Sequence, residues 1–154
     1  MKKQKILVVY YSRTGNTQKV ALELVRKLGA DKEDLADLKD RKMGIMAWLI
    51  SGKDAIRKKM TKIRYKEDPS KYDLVVIGTP VWAWTIPPAV RTYLSENKFK
   101  KVAFFCTNGG QYGKTFTEME KLSQKPIATL DLLDKKVRES NFKEELNEFC
   151  EKLK

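Results

Sequence analysis

Three stretches of the chain are almost uninterruptedly apolar and rich in β-branched or aromatic residues. They are Ile6-Leu7-Val8-Val9-Tyr10-Tyr11, Tyr72 to Gly78, and Lys101-Val102-Ala103-Phe104-Phe105-Cys106-Thr107. Runs of this length without polar alternation fit strands covered on both faces, as in a parallel sheet. Pro126 to Leu133 predicts a last strand, and the alternation Asp34-Leu35-Ala36-Asp37-Leu38 a short one.

Between these runs the period changes to that of a helix. Val20, Ala21, Leu24, Val25 and Leu28 repeat at helical spacing up to Gly29, a natural stop. Ile45, Leu49, Ile56 and Met60 mark a second helix, and Val90, Tyr93 and Leu94 a third that starts at Pro88. Phe116, Met119 and Leu122 give a fourth; Phe142, Leu146, Phe149, Cys150 and Leu153 close the chain. The order β-α-β-α-β-α-β-α-β-α predicts one α/β domain over residues 1–154, a parallel sheet with helices on both faces. Ligands of such sheets sit beyond the carboxyl ends of the strands, at the topological switch point. Three loops of unusual composition, 12–17, 79–87 and 107–113, each follow a strand and converge on that edge.

Composition narrows the chemistry. The chain has 154 residues and no histidine, which excludes imidazole bases, His-dependent nucleophiles and His-ligated metals. Cys106 and Cys150 form no CxxC pair and read as buried thiols in a reducing compartment. No apolar run reaches the roughly 20 residues of a membrane span, so a cytoplasmic location is expected. No side chain stands out as an acid, base or nucleophile.

Loop 12–17 carries the clearest chemistry. Ser12, Thr14, Asn16 and Thr17 supply short polar groups, and Gly15 permits a tight turn at the start of a helix. There the free N–H groups and the positive dipole end face one point, which suits a terminal phosphate. An ordinary Ser/Thr/Asn helix cap has the same composition.

Val8-Val9-Tyr10-Tyr11-Ser12-Arg13-Thr14-Gly15-Asn16-Thr17-Gln18-Lys19-Val20-Ala21 resembles the phosphate-loop signature of the flavodoxins, and the likeness in size and order extends over residues 5–153. The resemblance implies a three-layer sandwich with a five-stranded parallel sheet in the order 2-1-3-4-5 and one non-covalent FMN. It assigns the phosphate to Ser12, Arg13, Thr14, Gly15, Asn16 and Thr17. Thr79, Pro80, Val81, Trp82, Ala83, Trp84 and Thr85 would line one side of the isoalloxazine. Thr107, Asn108, Gly109, Gly110, Gln111, Tyr112 and Gly113 would line the other. The residue types agree: a flat amphiphilic ring needs aromatic partners and approachable backbone amides. A competing motif, Gly109-Gly110-Gln111-Tyr112-Gly113-Lys114-Thr115, is one residue short of a nucleotide-binding P-loop.

The chain departs from the acidic flavodoxins in its charge of +12. Residues 39–71 alone carry eleven Lys/Arg against four Asp/Glu, densest from Lys53 to Lys66. Such a face suits an acidic redox partner such as a ferredoxin; a nucleic-acid surface is disfavoured, because aromatics are not interleaved with it. A cation about 10 Å from the flavin, at an effective dielectric of about 40, favours the anionic reduced ring by roughly 0.8 kcal/mol. Ala83 stands where many flavodoxins have a Gly whose peptide turns over on reduction, and Ala reaches positive φ only at a cost of about 1 kcal/mol. Trp48 on the second helix is a candidate flavin cover or dimer contact in a protein expected to be a monomer or weak homodimer. The expectation is an electron carrier between protein partners. Alternatives are a nicotinamide-dependent quinone or flavin reductase, and a non-flavin nucleotide-binding or basic interaction module.

Overall fold

The computed structural model describes residues 3–39, 45–56 and 58–154, and within 45–56 the side chains of 49 and 51–56. The chain runs β1 (Ile6–Tyr10), α1 (Asn16–Leu28), β2 (Asp31–Asp34), β3 (Ala36–Asp37), α2 (Ile45–Ile56) and β4 (Ile63–Arg64). After a 3-10 turn at Pro69–Lys71 come β5 (Leu74–Pro80), α3 (Pro88–Glu96), β6 (Val102–Asn108), α4 (Thr115–Leu122), β7 (Thr129–Leu133), α5 (Asp134–Arg138) and α6 (Lys143–Lys152). Among the described residues, no helix is long and apolar enough to cross a membrane.

The main sheet has five parallel strands in the order β2-β1-β5-β6-β7. The expected order 2-1-3-4-5 needs correction as a numbering of strands. Two further strands, β3 and β4, pair with each other antiparallel outside that sheet and shift the count. The second sheet strand also lies earlier than residues 34–38. It occupies Asp31–Asp34, with Val8 beside Lys32 and Tyr10 beside Asp34. An edge strand buries little, and here only Glu33 is buried, so the strand carries no apolar pattern.

Alternation along the central strands builds two cores. Ile6, Val8 and Tyr10 join Leu74, Val76, Ala103 and Phe105 under α1, α5 and α6. Leu7, Val9 and Tyr11 join Val75, Ile77, Val102 and Phe104 under α3 and α4. The result is the expected three-layer sandwich. Gly78 in β5 is set by its neighbour: a Cβ there would lie 2.0 Å from Cζ of the fully buried Phe105. Gly78→Ala is expected to cost about 1–3 kcal/mol through overpacking, and Phe105→Leu in the same chain should recover part of the loss. Urea denaturation of both variants tests this; an Ala variant as stable as the parent contradicts it.

Candidate functional site

The loops after β1, β5 and β6 meet at the carboxyl edge of the sheet, where α1 leaves β1 for one edge and α3 leaves β5 for the other. This is the switch point of a doubly wound sheet.

In the first loop, Ser12 Oγ accepts from the N–H of Gly15 and of Gln18, both at 3.2 Å, and curls the chain into the helix start. Gly15 takes the left-handed conformation, φ +100°, at the N-cap of α1 and gives no side-chain cap. At the start of α1 the Gln18 N–H is thus capped by Ser12 Oγ, and the Lys19 N–H donates to Gly15 O at 3.0 Å. Thr17 is turned inward: its hydroxyl lies 2.8 Å from that of Thr107, both buried, and ties α1 to β6. Burial pushes the Asp134 carboxyl at this edge above the usual range, opposed by a hydrogen bond from Asn16 and the charge of Arg138.

Beside this loop lies a cavity of about 710 Å³. Arg13, Val81, Trp82, Ala83 and Trp84 form one wall, and Gly109, Gly110 and Gln111 another. These eight belong to the twenty residues singled out in the sequence. Ser12 and Arg13 also border an adjoining hollow of about 390 Å³ with Tyr11 and Asp37. Thr79, Thr85, Thr107 and Asn108 are buried behind the walls. Asn108 acts through position: its Oδ1 accepts from the N–H of Gly110 at 3.0 Å and its amide binds Asp131. Tyr112 leans on Phe116 instead, with ring centroids 5.0 Å apart.

The two tryptophans divide the work. Trp82 meets Tyr11 edge-on at 5.7 Å and carries the Arg13 guanidinium 5.5 Å from its ring centroid. Trp84 is 63% exposed and lines the cavity. Both sit in a closed turn: the N–H of Trp82 donates to Thr85 O and that of Thr85 to Trp82 O. The middle residues, Ala83 at φ +49° and Trp84 at φ +65°, are both left-handed. The cost expected for Ala83 is thus already present in this structure. The turn rests on the third loop, where Lys114 N–H donates to Trp84 O at 2.7 Å. Ala83→Gly is expected to relieve about 1 kcal/mol and raise Tm by about 3 °C, read by calorimetry; an unchanged or lower Tm speaks against strain at this turn.

In the third loop three backbone donors that a nucleotide cradle would use are already engaged. The N–H groups of Gly110, Lys114 and Thr115 go to Asn108 Oδ1, Trp84 O and Tyr112 O. Cys106 is buried, and burial, then the Asp131 charge, pushes its thiol up, away from reactivity.

Helix α2 supplies the wall that loop composition did not reveal: Leu49, Ser51, Gly52, Lys53 and Ile56. It is held by Arg13, which donates to Ser51 Oγ at 3.2 Å, and it passes close to the 82–85 turn at Gly52, where a Cβ would lie 3.6 Å from that of Ala83. The apolar spacing of Leu49 and Ile56 was visible in the sequence, but it read as packing on the sheet. The side chains of Ile45 and Trp48, which the sequence also brought forward, lie outside what is described.

Comparison with known proteins places these features. A family model described as flavodoxin matches residues 5–153. Among solved structures, a candidate flavoprotein of Bacteroides eggerthii is 26% identical, with a TM-score of 0.71 over 96% of this chain and 98% of that one. A flavoprotein of Lactobacillus acidophilus, solved in complex with FMN, is 23% identical, with a TM-score of 0.71 over 88% and 97%. No curated protein matches the sequence.

Proposed function

Since the chain belongs to the flavodoxin family, we propose that it holds one FMN without a covalent bond and works as a redox protein. The observation that carries this reading is the pairing of the Ser12–Thr17 helix start with a 710 Å³ cavity at the same switch point. The residues fit the group. The helix start offers donors to a phosphate. A Cβ on Gly110 would meet nothing within 4 Å, so that cavity wall is open backbone. The similar Lactobacillus flavoprotein binds FMN, which supports the same cofactor here.

Bound FMN would supply the electron or hydride chemistry; the chain supplies binding, orientation and charge. Arg13 places a cation in the cavity wall beside the Trp82 ring, which favours an anionic reduced ring. Electron carriage between proteins is supported by the basic face. Asp54 holds Lys39 and Lys59, and Glu118 holds Lys58. Lys53, Lys62, Arg64 and Lys66 make no ion pair among the described residues and suit an acidic, ferredoxin-like partner. The wall formed by α2 favours a second reading, reduction of a small acceptor at the expense of a nicotinamide.

The purified protein should retain flavin bands after addition of FMN and desalting. A colourless protein with no FMN affinity would overturn the cofactor reading. Stepwise reduction then separates the roles: a carrier passes electrons to an acidic protein with salt-sensitive rates, whereas a reductase is bleached directly by NAD(P)H.

A further inference from the structure

Among the described side chains of helix α2, those of Leu49 and residues 51–56, polar groups are buried and large apolar ones exposed. Its described buried side chains are Ser51, Asp54 and Ala55, at 3%, 4% and 0% exposure, while Leu49 and Ile56 are 51% and 60% exposed. A surface helix normally turns its apolar stripe inward. Here the polar side is anchored, Ser51 by Arg13 and Asp54 by Lys39 and Lys59. The apolar stripe is left on the cavity, with Lys53 between Leu49 and Ile56 at helical spacing. On the loop wall Trp84 offers an aromatic surface that is 63% exposed. The cavity volume of about 710 Å³ lies in the upper range for pockets that enclose a drug-sized ligand. Of the phosphate loop only Arg13 borders the cavity, so Leu49 and Ile56 of α2 line a part of it apart from the rest of that loop.

We propose that the α2 side of this cavity is a second ligand subsite, which takes a flat aromatic molecule bearing one negative charge. The ring would lie among Leu49, Ile56 and Trp84, and the anionic group would face Lys53. Apolar walls supply most of the affinity and one placed cation selects the charge. The inference rests on the FMN reading above, because it assigns the remainder of the cavity to the flavin. It is a binding proposal; no reaction step is attached to it.

The test uses the oxidised, FMN-loaded full chain, passed through a desalting column before each titration. The probes are 1,4-naphthoquinone-2-sulfonate and unsubstituted 1,4-naphthoquinone, followed by perturbation of the flavin band and quenching of tryptophan fluorescence. Saturable binding is expected for both, tighter for the sulfonate by roughly two- to five-fold. Lys53→Gln should abolish that preference and leave the uncharged ring's affinity in place. Leu49→Ser should weaken both probes by a larger factor than it weakens FMN, whose affinity is measured separately by fluorescence quenching. Three results overturn the subsite: no saturable change in a chain that keeps its FMN, equal affinity for the two probes, or release of FMN as either probe binds. A parent chain that loses its colour on the column overturns the cofactor reading, and this one with it.

Discussion

Replacing Glu118 with Gln should destabilise the protein by about 3–5 kcal/mol, the cost of leaving a buried charge without its counter-ion. Arg91 on α3 is 3% exposed, and its Nη1 lies 3.2 Å from Glu118 Oε2 on α4. Its Nε and Nη2 are buried with no hydrogen-bond partner among the described residues. A guanidinium cannot shed its proton to escape burial, so the carboxylate is what makes its position tolerable. The reverse substitution is expected to be milder. In Arg91→Met, Glu118 keeps Lys58 at 3.3 Å and Lys121 at 4.0 Å, both well exposed. The double variant Arg91→Met, Glu118→Gln should recover most of what Glu118→Gln loses. Urea denaturation at neutral pH decides this, and equal losses in the two single variants would refute the asymmetry.

The same pair gives the protein an acid limit. Burial by itself raises the Glu118 carboxyl, but hydrogen bonds from Arg91 and Lys58 and their charges outweigh it and hold the group below its ordinary value of 4.5. A depressed carboxyl contributes stability that is complete above its unfolded value and is lost as pH falls through the folded one. Stability of the parent should therefore fall below about pH 4.5, and Glu118→Gln should lack this part of the fall.

What could be read from the chain depended on whether a feature lies in local pattern. The central strands declared themselves because both faces are buried, leaving Ile6–Tyr10 and Val102–Asn108 apolar nearly throughout. Pro88 and Gly29 marked helix ends because their backbone constraints are local. The first loop stood out because short polar residues cluster around Gly15 at a helix start, a composition that an ordinary cap shares. The edge strand Asp31–Asp34 was not, since a strand that buries only Glu33 has no period. The wall role of α2 was hidden for the opposite reason. Its apolar spacing was plain, but spacing alone assigns the stripe to a core, and only the burial of Ser51 and Asp54 shows that Leu49 and Ile56 face outward to the cavity. The Arg91–Glu118 pair joins residues 27 apart on two helices, which no local window contains.

Gly113→Ala should separate the fold from the site most sharply. Gly113 has φ +55°, and a Cβ there would stand 2.5 Å from Trp84 O, 2.6 Å from Trp84 Cβ and 3.0 Å from its Cα. Backbone cannot yield as a flexible side-chain end does, so the 82–85 turn must lift and give up the Lys114 N–H bond to Trp84 O. The left-handed conformation adds about 1–2 kcal/mol for a non-glycine residue. The expected loss of stability is about 2–4 kcal/mol. Because Trp82, Ala83 and Trp84 ride on that turn, FMN affinity should fall by about a hundred-fold, or roughly 3 kcal/mol. Gly110→Ala is the control: its Cβ meets nothing within 4 Å and its φ is not positive, so stability should stay within about 0.5 kcal/mol of the parent. Stability is read by urea denaturation of the FMN-free chains, and affinity by quenching of FMN fluorescence. A Gly113→Ala chain that folds and binds FMN within three-fold of the parent would show that the turn is free to move without loss to the site. A destabilised chain with unchanged affinity would place the cofactor's contacts away from Trp82–Trp84. Weakening of both together is the result that makes the packing of these two loops, through one missing methyl group, the condition for the cavity.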